Sequence, residues 1–204
     1  MNMKKLILFL FVLSFCITMI TCNTPKYDVS DTNISFPSFW VNFIKAFNEK
    51  KATEINKYIN SKHGFFVIDN PGAFIVVQHF NSFDEIMEME GKYDIAHLKV
   101  MKVESDLRNG KKPFYNCKKE SWDKEGCFHE ETPESKITYY YETMIEYQLA
   151  DSNIVKDEMI LSKKSDSMIT RLVYDTKATI GFYFGKIDDK WYLLCIDKVT
   201  PCSA

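Results

Sequence analysis

The strongest constraint on the fold lies near the C-terminus. The stretch "FYFGKIDDKWYLLCID", Phe182 to Asp197, sets two runs of aromatic and β-branched residues on either side of Asp188-Asp189. Such runs, separated by a two-residue polar tip, specify an antiparallel hairpin. The pattern extends backwards, so strands are expected over 168–175, 178–187 and 190–199. A chain that ends in an antiparallel run must cover at least one face of it with something apolar.

The cover is visible at the other end of the domain. Phe36, Phe39, Trp40, Phe43, Ile44 and Phe47 recur at steps of three and four, which places them on one side of a helix, with Pro37 tolerated in the first turn. Ile55, Tyr58 and Ile59 predict a second short helix over 52–59. Phe65 to Ile68 and Ala73 to Val77 read as extended segments joined by a type II turn at Asn70-Pro71-Gly72-Ala73, with Gly72 supplying the positive φ. Ser82-Phe83-Asp84-Glu85 matches a capping box for a helix over 82–90. Residues 93–103 fit helix or strand equally. Ile137, Tyr140, Tyr141, Met144, Ile145 and Leu149 return to helical spacing. Between them, residues 107–136 are charged, contain Gly and Pro, and form a long excursion. The fold class expected is α+β, with N-terminal helices packed on one face of a curved antiparallel sheet.

The first 21 residues stand apart from this plan. Lys4 and Lys5, the apolar run 6–20 and the seam Thr21-Cys22 are the three zones of an export signal. The run is shorter than the roughly 20 residues a spanning helix needs. The segment resembles a bacterial lipoprotein signal, in which cleavage precedes an acylated cysteine. That resemblance makes Cys22 the lipid attachment site, residues 22–35 a polar tether and residues 36–204 a single domain. An ordinary signal cut near Thr21 is the alternative. Losing residues 1–21 removes two lysines and no acid, leaving 24 basic against 28 acidic side chains, a net charge of about −4. Such a balance gives no electrostatic reason to bind nucleic acid.

In an exported chain Cys117, Cys127, Cys195 and Cys202 are an even set that favours disulfides over metal. The pairing Cys117–Cys127 with Cys195–Cys202 closes the shortest loops, and three pairings are open. Cys117, Cys127, His129 and Glu130 are a zinc alternative without close Cys-x-x-Cys spacing. Cys117 or Cys127 with His129 is a Cys–His alternative.

The opening "SFWVNFIKAFNEKKATEINKYI" and the closing "GFYFGKIDDKWYLLCID" resemble the NTF2-like (cystatin-like) superfamily. The chain as a whole, with "HGFFVIDNPGAF" between them, resembles uncharacterised lipoproteins of Bacteroidetes-type bacteria. The resemblance implies a cell-envelope location. In that group, acids directly after the lipid cysteine mark export to the outer surface; "CNTPKYD" has none immediately following, so a periplasm-facing position is favoured.

The sequence carries no phosphate-binding glycine loop, no Gly-x-Ser-x-Gly and no His-Glu-x-x-His. Enzymes of the superfamily hold Asp, His and Tyr in a conical cavity, which makes His79, Asp94, His97 and Tyr183 the candidates for an isomerase, dehydratase or hydrolase site. Trp40, Trp191 and Tyr192 are read as core aromatics in preference to stacking platforms. The function expected is a lipid-anchored module that binds an envelope protein or glycan, without cofactor, metal or catalysis; the cavity enzyme is the alternative.

Overall fold

A computed structural model describes residues 34–89, 98 and 101–202. The export segment, Cys22 and nearly all of the tether lie outside these residues. Among the described residues no helix is long and apolar enough to cross a membrane.

The protein is a mixed α+β structure built on a large, mostly antiparallel sheet. Helix α1 (Phe36–Glu49) begins at Ser35, whose hydroxyl accepts from the Ser38 amide, and ends at Lys50 in the left-handed region at φ 57°. Helix α2 (Ala52–Ile55) runs into a 3-10 turn, Asn56–Tyr58. Strands β1 (Phe65–Asp69) and β2 (Val76–Phe80) pair antiparallel, and helix α3 (Phe83–Glu88) follows. Then come β3 (Leu107–Asn109), β4 (Tyr115–Asn116), β5 (Ser121–Trp122) and β6 (Cys127–Glu131). Helices α4 (Ile137–Glu146) and α5 (Lys156–Met168) precede β7 (Ile169–Asp175), β8 (Ile180–Ile187) and β9 (Lys190–Asp197). Seven strands form one sheet in the order β2-β1-β9-β8-β7-β6-β3, with β4 and β5 making a separate ribbon. The β1–β9 and β3–β6 pairs are parallel.

The closing hairpin has the expected tip. Ile187 pairs with Lys190, and Asp188 and Asp189 both have positive φ, 50° and 62°, the signature of a type I′ turn whose twist matches its strands.

Alternation along the strands sorts the core into two clusters. In the first, the α1 rings Phe39, Trp40, Phe43 and Phe47 meet Phe182, Phe184 and Trp191 at centroid separations between 5.1 and 6.2 Å. The rings fill the space between α1 and the strands. Trp40 donates its indole N–H to the Ser105 carbonyl at 3.0 Å. Asn48 exchanges two hydrogen bonds with the Val103 backbone, at 2.9 and 3.0 Å, and so lays the segment before β3 along α1. The second cluster joins Phe66, Ile68, Leu172, Tyr174, Tyr183, Leu194 and Cys195 to Ile137, Tyr141 and Met144 of α4. Helical residues therefore enter both clusters, where a single helical layer was expected.

Helix α5 escaped the periodicity reading because its buried residues are Ser162 and Ser165, not apolar ones. Small side chains suit a close approach. A Cβ on Gly185 of β8 would stand 2.3 Å from the Met168 carbonyl at the end of α5. Two turn expectations also change. The β1–β2 connection spans residues 70–75, and Gly72 is not among the positive-φ glycines, so no type II turn forms there. At α3 the Ser82 side chain caps nothing. Asn56 accepts from the Phe83 amide at 2.7 Å in its place, and Glu85 reaches the Asn81 amide at 3.2 Å.

Candidate functional site

The excursion is more ordered than its composition predicts. Its ends are the sheet strands β3 and β6, and only residues 110–126 arch away. The arch is tied down at three places. Gly110 donates to the His129 carbonyl at 2.9 Å. Trp122 stands edge-on to Tyr174 of the sheet at 5.4 Å and to Tyr115 at 5.0 Å. Cys117 is disulfide-bonded to Cys202, with the Cα atoms 5.8 Å apart. The local pairing is thereby corrected. Cys127 and Cys195 are buried free thiols, one in each core cluster, and the sheet stands between Cys127 and the face that carries the arch with Cys117.

The arch overhangs a cleft of about 380 Å³ on the face of the sheet that carries the second cluster. Ile68, Leu172, Tyr183 and Asp197 line it from the strands. Gly181 contributes no side chain beside Asp197, so Tyr174, Leu172 and Asp197 close to within van der Waals reach of the position its Cβ would take. The start of α4 contributes Lys136 and Tyr140 to the lining. That helix start is held by Asp166 of α5, which accepts from the Ile137 and Thr138 amides at 3.2 and 3.0 Å and from the Ser135 hydroxyl. An acid at this position also complements the helix dipole.

Lys111 and Lys112 of the arch complete the lining. Lys112 sets its ammonium 2.9 Å from Asp197 and 4.5 Å from the Tyr174 ring centroid, while its amide donates to Glu130 at 2.7 Å. Asp197 also accepts from the Val199 amide at 3.0 Å. The two tyrosine hydroxyls of the lining titrate above the ordinary phenol value, Tyr183 well above it. Burial is the first cause in both and the Asp197 carboxylate the second. They are neutral donors at any physiological pH. The arrangement can hold a small polar molecule between oriented hydroxyls, carboxylates and ammonium groups, against an apolar base.

Of the residues selected from sequence, the two that are described, Tyr183 and His79, do not meet. Tyr183 lines the cleft. His79 is on β2, three strands away in the order β2-β1-β9-β8, about 14 Å at ordinary strand spacing. Its Nε2 lies 2.8 Å from the His63 carbonyl, where it braces a turn. Asp94 and His97 lie outside the described residues. Cys127 and His129 share one face of β6, but burial, with Asp175 next, pushes the Cys127 thiol up to about 12, so no thiolate forms. Burial, with Arg171 next, lowers His129. Cys117 is consumed by the disulfide, and no group of three or more His, Cys, Asp or Glu among the described residues is placed to hold a metal. Sequence reasoning missed Lys112, Glu130 as a cleft residue, Tyr140 and Asp197. The long excursion was the one signal that pointed toward them.

The chain matches no protein-family profile, no curated protein and no solved structure.

Proposed function

We propose that this is a lipid-anchored protein of the cell envelope whose α+β domain binds a ligand or partner in the cleft beneath the 110–126 arch. The observation that carries the binding reading is the cleft lining. A cross-linked arch brings Lys112 onto Asp197 and Glu130, while Tyr140 and Tyr183 stand beside them with hydroxyls that bond to nothing among the described residues. Loops fixed over a rigid sheet are a common way to build a recognition site.

The fold is read as NTF2-like, with helices on a curved sheet. In support, the opening helix and closing hairpin that carry the resemblance pack ring against ring in one cluster. That packing occupies the space where such a fold would keep a conical cavity, which moves the ligand to the other face. The anchor rests on Lys4-Lys5, the apolar run and Cys22, and the exposed Cys117–Cys202 bond fits an oxidising compartment. The inward-facing location remains the reading of "CNTPKYD".

Two experiments test this. Cys22→Ser should release the protein from the membrane fraction or leave its signal uncut; unchanged association with normal processing refutes the anchor. For binding, the processed soluble form, residues 23–204, is immobilised and exposed to envelope extract beside a Tyr140→Ala variant. A species retained by the first and lost from the second is expected, and equal retention by both refutes a cleft-based function.

A further inference from the structure

Resting on that reading, we propose that the cleft takes a neutral polyhydroxylated ligand, a short saccharide, through the hydroxyls of Tyr183 and Tyr140 and the carboxylates of Glu130 and Asp197.

The charge pattern argues against a simple ion as the ligand. Three ammonium groups and three carboxylates line the cleft, so the lining has no net charge to attract an ion of either sign. Two of the three possible opposite pairs are already made within the protein, Lys112 with Asp197 at 2.9 Å and Lys136 with Glu134 at 3.7 Å. A zwitterion is left with Lys111 and Glu130 alone unless it breaks a pair that exists.

What the lining leaves open is hydroxyl chemistry. Tyr183 is only 8 % exposed, lines the cleft, and its hydroxyl makes no hydrogen bond among the described residues. The ring is buried while the hydroxyl stays open to the cleft, so it is held in place and available to an incoming group. Tyr140 is in the same condition at half burial. Beside these donors, Glu130 uses one oxygen for the Lys112 amide and keeps the other free, and each Asp197 oxygen retains a second lone pair. A lining that offers both donors and acceptors suits a vicinal diol, in which every hydroxyl both gives and takes. The Tyr140 ring adds a face for sugar C–H groups. A volume of about 380 Å³ is at the small end of ligand pockets, which run from about 300 to 1,000 Å³, and sets the size at one or two sugar rings.

The test is a titration of the processed chain, followed by saturation-transfer NMR and calorimetry. The neutral probes are glucose, galactose, mannose, N-acetylglucosamine, maltose and N,N′-diacetylchitobiose. Glutamate, glycylglycine and inorganic phosphate are the charged probes. At least one saccharide should bind, with an affinity that changes less than twofold between 0.05 and 0.5 M salt. Tyr183→Phe should weaken it about fivefold, the value of one hydrogen bond, without lowering the melting temperature. Binding of a charged probe in the absence of any saccharide overturns the ligand class, and so does saccharide binding that Tyr183→Phe and Tyr140→Phe leave unchanged. If no probe binds while envelope extract still yields a species lost in Tyr140→Ala, the saccharide fails and the binding function stands. If nothing binds in either experiment, both fall.

Discussion

Replacing Cys117 and Cys202 together by serine tests the tertiary arrangement of the arch and the compartment at once. The bond links residues 85 apart, so its loss releases a long closed loop into the unfolded ensemble. The chain-entropy relation puts that at about 4.5 kcal/mol, against about 2.5 kcal/mol for either of the short loops of the local pairing scheme. For a domain of this size a loss of about 4.5 kcal/mol lowers the melting temperature by about 10 °C or more. Thermal unfolding of the processed chain, followed by circular dichroism with and without the substitutions, measures it. A non-reducing peptide map supplies the connectivity. A map that joins Cys117 to Cys127, or Cys195 to Cys202, refutes the arrangement outright. A melting shift under about 3 °C with the correct map would refute the entropic account, because the arch would then be held by its non-covalent contacts through Gly110, Lys112 and Trp122.

Further outcomes follow from the core. His63, hydrogen-bonded to Ser165 at 2.7 Å, is lowered to about 4 by burial first and by Lys164 and His79 after it. Its unfolded value is near 6.5, so the unfolded chain takes the proton first as pH falls, and stability present above pH 6.5 is lost down to about pH 4, by about 3 kcal/mol. Urea titrations at pH 7, 5.5 and 4.5 should show this loss shrinking in His63→Gln; parallel curves would refute it. Gly64 has φ 67° and a Cβ there would stand 2.3 Å from the Phe80 carbonyl, so Gly64→Ala should cost about 2 kcal/mol or more, and a neutral result in chemical denaturation would show that the turn before β1 can relax. Phe43→Ala should lose about 3–5 kcal/mol and open an apolar void that binds xenon or benzene, detectable as a probe-dependent rise in melting temperature; a loss under about 1 kcal/mol would mean the first cluster collapses freely.

Local signals were legible wherever one residue's neighbours in sequence are also its neighbours in space. The α1 stripe and the closing hairpin are of this kind, and the tip at Asp188-Asp189 was placed to the residue. The cleft is of the other kind. Lys112 and Asp197 are 85 positions apart and meet because β6 and β9 belong to one sheet and the arch folds back across it. Helix α5 shows a second limit. Its buried side is made of serines, so a hydrophobic period cannot reveal it, and their partners, His63 for Ser165 and Thr138 for Ser162, are supplied only by the tertiary structure.

Amphipathic periods, turn residues and aromatic content were enough to determine the α+β class, the helix that opens the domain and the hairpin that closes it, because each is a local consequence of backbone sterics and of burying one face. Strand order, the parallel return of β9 beside β1, the choice of Cys202 as the partner of Cys117 and the meeting of Tyr140, Tyr183, Glu130 and Asp197 were decided by tertiary structure. Each of these joins residues far apart along the chain, and such pairings form only when the whole sheet excludes the competing ones.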